Sequence, residues 1–168
     1  MSLRRMIHVF VLAFALAVTG VGISSVTASE GGSAASAATR QQARAMAGSF
    51  ESDVLRYTNA ARKRHGLRPL AAARCSDGRA SRWARIMARR DVMRHQPMRS
   101  FQRACHRSYV GENIAMGSRL SARQVVSLWM HSPGHRRNIL NRNYRYLGVG
   151  AYRSLDTGTI YVAQNFMR

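Results

Sequence analysis

Acidic residues are scarce in this chain of 168 residues: seven, against 27 basic ones, for a formal net charge of +20. Of the basic residues, Lys63 alone is a lysine. An excess of this size makes the surface attractive to polyanions, including nucleic acid, anionic lipid and acidic cell-wall polymers. The arginines are spread along the chain and not gathered into one run with interleaved aromatics. No dedicated nucleic-acid-reading segment follows from them, and specific nucleic-acid binding is not expected. A solvated basic surface, produced by GC-rich codon usage, is the plainer alternative.

Cysteine is nearly absent too. Cys75 and Cys105 are the whole supply, and no Cys-x-x-Cys spacing exists, which excludes the common metal and redox pairs. In an exported protein, an even count of two predicts one structural disulfide. It would close a loop of about 31 residues and contribute roughly 3–4 kcal/mol in the chain-entropy model. Internal repeats are also missing, and the roughly 120 residues from Ser49 to Arg168 suffice for one domain and not for two.

What is present begins with a processing signal. Met1-Ser-Leu-Arg-Arg5 is positive, Ile7 to Val18 is almost wholly apolar, and Ser25-Val-Thr-Ala28 offers small residues for a peptidase. That order predicts a secretory signal peptide over residues 1–28, with Ala37 as a second cleavage point. The competing anchor needs about 20 apolar residues, which the run to Ile23 approaches only if Thr19 and two glycines are tolerated. Residues 29–48 are rich in Ser, Ala, Gly and Gln without apolar periodicity, and are expected to form a flexible leader. The folded domain is then 49–168, and its expected location is secreted or extracellular, with association to the cell envelope.

Within that domain, Phe50, Val54, Tyr57 and Ala61 fall at i, i+4, i+7 and i+11, predicting a helix from near Phe50 to His65. Gly66 suits a left-handed cap and Pro69 blocks continuation. Ala80, Trp83, Ala84 and Met87 give the apolar face of a second helix over Ser76–Arg90. Asp91 to Val110 reads as a long loop, the kind of segment that carries function. A short strand-like piece follows over Gly111–Gly117. Ser121 and Gln124 stand in capping-box spacing and open a third helix. Ser132-Pro133 restarts a short one, with serine as cap and proline in the first turn. Tyr146–Tyr152 and Ile160–Phe166 alternate about a turn, predicting a terminal hairpin. Helices first and strands mainly last indicate an α+β fold with a small antiparallel sheet.

Few residues stand out for chemistry. His135 lies one helical turn after Ser132, so their side chains can share a face; acid–base or metal work and a bond to the hairpin are both open. Ser132 reads better as a cap than as a nucleophile, because no orienting acid lies nearby in sequence. Glu112 is one of the seven acids, and an ion pair with an arginine is its default. His95 sits in the long loop. Asn113 and Asn138 suit the satisfaction of buried backbone groups. His131 and His135 have metal-ligand spacing, but the helix restart between them separates their rings.

Five segments then carry a resemblance. They are Asn59-Ala-Ala-Arg62 through His65-Gly-Leu-Arg-Pro-Leu70, Gly111-Glu-Asn-Ile-Ala115, Trp129-Met-His-Ser-Pro-Gly-His-Arg-Arg-Asn-Ile-Leu140, Leu147-Gly-Val-Gly150 and Tyr161-Val-Ala-Gln-Asn-Phe166. In this order, over residues 50–166, the chain resembles the CAP (SCP-like) superfamily of cysteine-rich secretory, antigen 5 and pathogenesis-related proteins, in its short secreted bacterial branch. The resemblance implies an α-β-α sandwich with a small antiparallel sheet between helical layers, and a cleft lined by two histidines and two acids. It assigns His135 to the second histidine, Glu112 to the first acid and His95 to the first histidine. Ser132 stands where animal and plant members carry a second glutamate.

The cleft candidates are therefore His95, Glu112, Ser132 and His135, with His95 and His135 as metal ligands. Two imidazoles and one carboxylate suit zinc, but the lost acid and neighbouring Arg136 and Arg137 predict loose binding at most. The expected role is non-enzymatic: a monomeric, envelope-associated domain that binds a small ligand, lipid or glycan. A metal-assisted hydrolase with His135 as ligand and Glu112 as base is the enzymatic alternative. Arginine-driven binding of acidic cell-wall polymers is the third.

Overall fold

The computed structural model describes residues 31–168, so the predicted signal peptide lies outside the described residues. The elements in chain order are α1 (Gly31–Arg64), β1 (Ala71–Ala72), α2 (Arg74–Arg90), α3 (Met98–Cys105), β2 (Val110–Gly117), α4 (Ala122–His131), α5 (Pro133–Ile139), β3 (Tyr146–Arg153) and β4 (Ile160–Met167). The four strands form one sheet in the order β1-β3-β4-β2. Helices cover both faces, which is the α-β-α sandwich that the resemblance implies.

The two central faces arise from strict alternation along β4. Tyr161 and Ala163 pack with Ala80, Trp83, Ala84 and Met87 of α2, together with Ile114 of β2. Val162 and Phe166 point the other way, into a core built from Val54, Ala61, Val125, Trp129 and Ile139 of α1, α4 and α5. On the first face, α2 lies directly on β3 because Gly148 and Gly150 present no side chain. A Cβ at Gly148 would fall on the backbone of Ser76, and one at Gly150 on the backbone of Ser81.

Four local expectations change. The sheet is mixed, because β1 runs parallel to β3 at its edge, pairing Ala71 with Tyr146 and Ala72 with Leu147. Two residues carry no periodicity to read. They are positioned by Asn59, whose amide donates to Leu70 O at 2.9 Å and accepts from Leu70 N at 2.8 Å. Second, the expected flexible leader is helical from Gly31 onward. Its Ala, Gln and Arg residues have high intrinsic helix propensity, so it needs no buried stripe; Ala37, Gln41 and Gln42 are exposed. Third, the long loop contains α3. Phe101 and Cys105, one turn apart, are its buried positions, too few to show a period in eight residues.

Fourth, Ser132 occupies the N-cap place of α5, yet its side chain makes no cap bond. Its carbonyl instead accepts from Arg136 N at 2.8 Å. The Ser121–Gln124 capping box does form. Cys75 and Cys105 are disulfide-bonded with their Cα atoms 5.8 Å apart, tying the start of α2 to the end of α3.

Candidate functional site

β2 forms one edge of the sheet, paired on one side only, with β4. Alternation sends Glu112 toward the α2–α3 layer and Asn113 toward α5. The Glu112 carboxylate is 1% exposed, and Nδ1 of His95 lies 2.7 Å from its Oε2. Gln96 supplies two more donors: its backbone N–H to Oε2 at 3.1 Å and its Nε2 to Oε1 at 2.7 Å. Burial holds the Glu112 pKa above the usual carboxylate range, against the opposing pull of the His95 and Gln96 hydrogen bonds. His95 itself is 58% exposed. Its loop is held by Trp83, whose indole donates to Arg94 O at 2.8 Å.

An ionised carboxylate only accepts. The bond therefore places a His95 proton on Nδ1. His135 is half-buried on α5, and its pKa is lowered by burial and then by the His95 charge. His135 lines a shallow groove of about 270 Å³ along β2, together with Met93, Ile114, Met116, Leu128 and Ser132 among others. Met93, Met116 and Leu128 are exposed. The cleft thus has apolar walls and an imidazole end.

A chain of buried amides holds the two sides together. Asn138 Nδ2 donates to Glu112 O at 3.0 Å and to Asn113 Oδ1 at 2.9 Å. Asn113 Nδ2 donates to His135 O at 3.2 Å and to Gln164 Oε1 at 2.9 Å. Gln164 Nε2 continues to Thr58 Oγ1 at 2.8 Å. The carbonyls of the acid and of the histidine are therefore bonded by side chains that touch each other, which sets α5 against β2. Hydrogen-bonded networks of this kind rigidify the groups they connect.

Of the residues singled out from sequence, His95 and Glu112 meet in a direct bond, while Ser132 and His135 line the groove. Glu112 pairs with a histidine where an arginine was the default expectation. Asn113 and Asn138 satisfy buried carbonyls as expected. His131 turns away and bonds Ser127 O of its own helix at 2.8 Å. Gln96, Gln164 and Thr58 escaped sequence reasoning. A signal existed for one of them: Gln164-Asn165 interrupts an otherwise apolar central strand.

No group of three or more His, Cys, Asp or Glu side chains among the described residues is arranged to hold a metal ion. The chemistry of the donor set accounts for this. Both Glu112 oxygens are committed to His95 and Gln96, and the carboxylate is 1% exposed. The donors open to a cation reduce to imidazole nitrogens, fewer than a zinc site requires. The residues present do not fit a resident zinc ion; Glu112 orients a histidine.

A family model described as the cysteine-rich secretory protein family, CAP, matches residues 55–166. The uncharacterized protein YkwD of Bacillus subtilis (strain 168) is 34% identical over 124 residues, covering 68% of this chain and 46% of that protein. The chain thus spans less than half the length of that relative. Among solved structures, an extracellular protein containing an SCP domain from Bacillus anthracis aligns with a TM-score of 0.61. It is 27% identical, over 72% of this chain and 41% of that one. An outer surface protein from Borrelia burgdorferi aligns with a TM-score of 0.62 at 20% identity, over 71% of this chain and 95% of that one, a likeness of fold alone. The sandwich, the five segments in order and the family match agree: the chain belongs to the cysteine-rich secretory protein family.

Proposed function

We propose that the protein is exported and acts at the cell envelope or outside it as a non-enzymatic binding domain. Its ligand is amphipathic and lies in the groove beside β2. The observation that carries this reading is the commitment of Glu112: buried and triply hydrogen-bonded, it orients His95 and is not free to act as a base. What faces the groove is a set of apolar walls ending in imidazole and hydroxyl groups. Such a surface suits an alkyl chain against Met93, Met116 and Leu128 with a polar head near Ser132 and His135. Export is supported by the apolar segment with its positive start over residues 1–28 and by the similar extracellular protein. No helix of the described residues is long and apolar enough to cross a membrane.

The test is calorimetric titration of the purified protein with a monomeric lysophospholipid, beside the Leu128→Asp and His135→Ala variants. Saturable binding weakened in both variants supports the reading. Binding unchanged in both overturns it. So does chelator-sensitive turnover of peptide or ester substrates that Glu112→Gln abolishes, which would establish the hydrolase instead.

A second reading is favoured by the arginines. Among the described residues, the one ion pair that an arginine makes is Arg56 with Asp53 at 2.8 Å. The remaining positive surface is available to acidic cell-wall polymers, so the envelope itself is a partner of matching chemistry.

A further inference from the structure

A second cavity, sharing no lining residue with the groove, opens between α2 and α3. It has a volume of about 270 Å³ and is lined by Arg79, Arg82, Trp83, Ile86, Pro97 and Ser100. Arg79 is its most constrained member. One guanidinium nitrogen, Nη2, donates to Ser100 Oγ at 3.1 Å and reaches Gln96 Oε1 at 3.5 Å. Its Nε is buried and has no hydrogen-bond partner. No carboxylate pairs with Arg79 or Arg82 among the described residues. A partly buried guanidinium with neither a counter-charge nor a full set of acceptors is costly.

The imbalance extends one residue deeper. The other orphaned buried atom among the described residues is Asn165 Nδ2, and Asn165 Oδ1 accepts from Gln96 Nε2 at 2.8 Å. Both orphaned donors therefore flank Gln96, whose own amide is already engaged with Glu112. Donors outnumber acceptors around Gln96, next to Arg79, while Trp83 and Ile86 give the cavity an apolar side.

We propose that this cavity is a binding site for a small organic oxyanion, a carboxylate or phosphate monoester with a compact apolar body. Arg79 is the anchor, Arg82 and Ser100 are further donors, and the body lies against Trp83 and Ile86. A guanidinium fork matches carboxylate and phosphate geometry, and the bonds it makes to them are charge-assisted. The volume falls just below the range typical of drug-sized ligand pockets, which limits the occupant to a small molecule or the end group of a larger one. The site rests on α2 and α3 and is independent of the proposed groove ligand.

The test uses two tryptophan indole N–H resonances as built-in reporters. Trp83 lines the cavity, whereas Trp129 is buried on the opposite face of the sheet, donating to Ile114 O. Phenyl phosphate, benzoate and neutral benzyl alcohol are titrated into the purified protein at about 0.15 M salt, where long-range attraction is screened. The Trp83 resonance, assigned with Trp83→Phe, is expected to shift saturably with both anions and not with the alcohol. A stronger response to phenyl phosphate assigns the site to phosphate monoesters, and a stronger response to benzoate assigns it to carboxylates. Arg79→Gln is expected to weaken binding roughly tenfold or more, with the Trp129 resonance unmoved. Arg89→Gln, at the exposed end of α2, should bind as the parent does. Should Arg79→Gln not fold, Arg82→Gln combined with Ser100→Ala serves the same purpose. The proposal is overturned by an unsaturable or absent Trp83 shift, by an equal shift with benzyl alcohol, or by unchanged affinity when Arg79 is replaced.

Discussion

Nδ1 of His95 sits 2.7 Å from Oε2 of Glu112, with the imidazole 58% exposed and the carboxylate beneath it 1% exposed. The pair crosses the boundary between solvent and core. It therefore transmits a buried negative charge to an accessible ring without exposing the charge itself. The acid holds the ring through Nδ1 and leaves the rest of the imidazole open to solvent.

This arrangement predicts a pH dependence of stability. Burial raises the folded-state pKa of Glu112 above its ordinary 4.5. A raised pKa means that the folded state holds its proton more tightly than the unfolded chain. The contribution is fully present below pH 4.5 and is lost as pH rises through the higher folded value. Glu51 and Asp77, also raised by burial, add to the same trend. His135 works oppositely: its folded pKa lies below the ordinary 6.5, so its contribution is present above 6.5 and is lost as pH falls toward the lower folded value. Urea unfolding of the parent and of Glu112→Gln across this range should show the parent's advantage shrinking from pH 4.5 upward. An advantage that grows with pH would contradict the assignment.

Arg62 is expected to be the costliest surface-type residue to replace. It is 1% exposed despite its charge. Its Nη1 donates to Ile139 O at 2.6 Å and Asn141 O at 2.9 Å, and its Nε to Arg68 O at 2.9 Å. It therefore ties the end of α1 to the end of α5, the helix that carries His135. Arg62→Met keeps the volume and strands three carbonyls. A loss of about 3 kcal/mol or more in urea unfolding is expected. A change within about 0.5 kcal/mol, typical of an ordinary surface site, would show that the carbonyls find other partners.

Polyanion binding should be electrostatic in origin. Retention of the protein on an acidic cell-wall polymer is expected to collapse as salt rises from about 0.05 to 0.2 M, because each neutralised charge releases a counterion. Replacing arginines in pairs on the exposed face of α2, such as Arg85 and Arg89, should flatten the salt dependence by about one slope unit for each arginine that meets a polymer charge. Retention that survives high salt would assign the interaction to the groove.

How much of this was readable in advance varies along the chain. The stripe over Val54, Tyr57 and Ala61, the face over Ala80, Trp83, Ala84 and Met87, and the terminal hairpin are periodic. Local pattern therefore locates them within a residue or two, apart from the N-terminal extension of α1. The extension back to Gly31 escaped because propensity without amphipathicity leaves no stripe. α3 escaped because Phe101 and Cys105 are its only buried residues. Ser132 misled in a narrower way: its position is that of a cap, but its hydroxyl makes no cap bond.

The division in the site follows the range of the forces involved. Residue types, the two-cysteine pairing and the presence of Glu112 and His135 in matching segments, with His95 in the loop before them, are properties of the linear chain. Whether Glu112 serves as ligand, base or support was open there, since a carboxylate among arginines defaults to an ion pair. Packing decided it. Alternation along β2 turns the side chain inward, the α2–α3 layer removes it from water, and Gln96 and His95 arrive from a loop 16 and 17 residues away to satisfy it. Desolvation and hydrogen-bond geometry depend on every neighbour at once, so only the assembled layers could show how that carboxylate is buried and bonded.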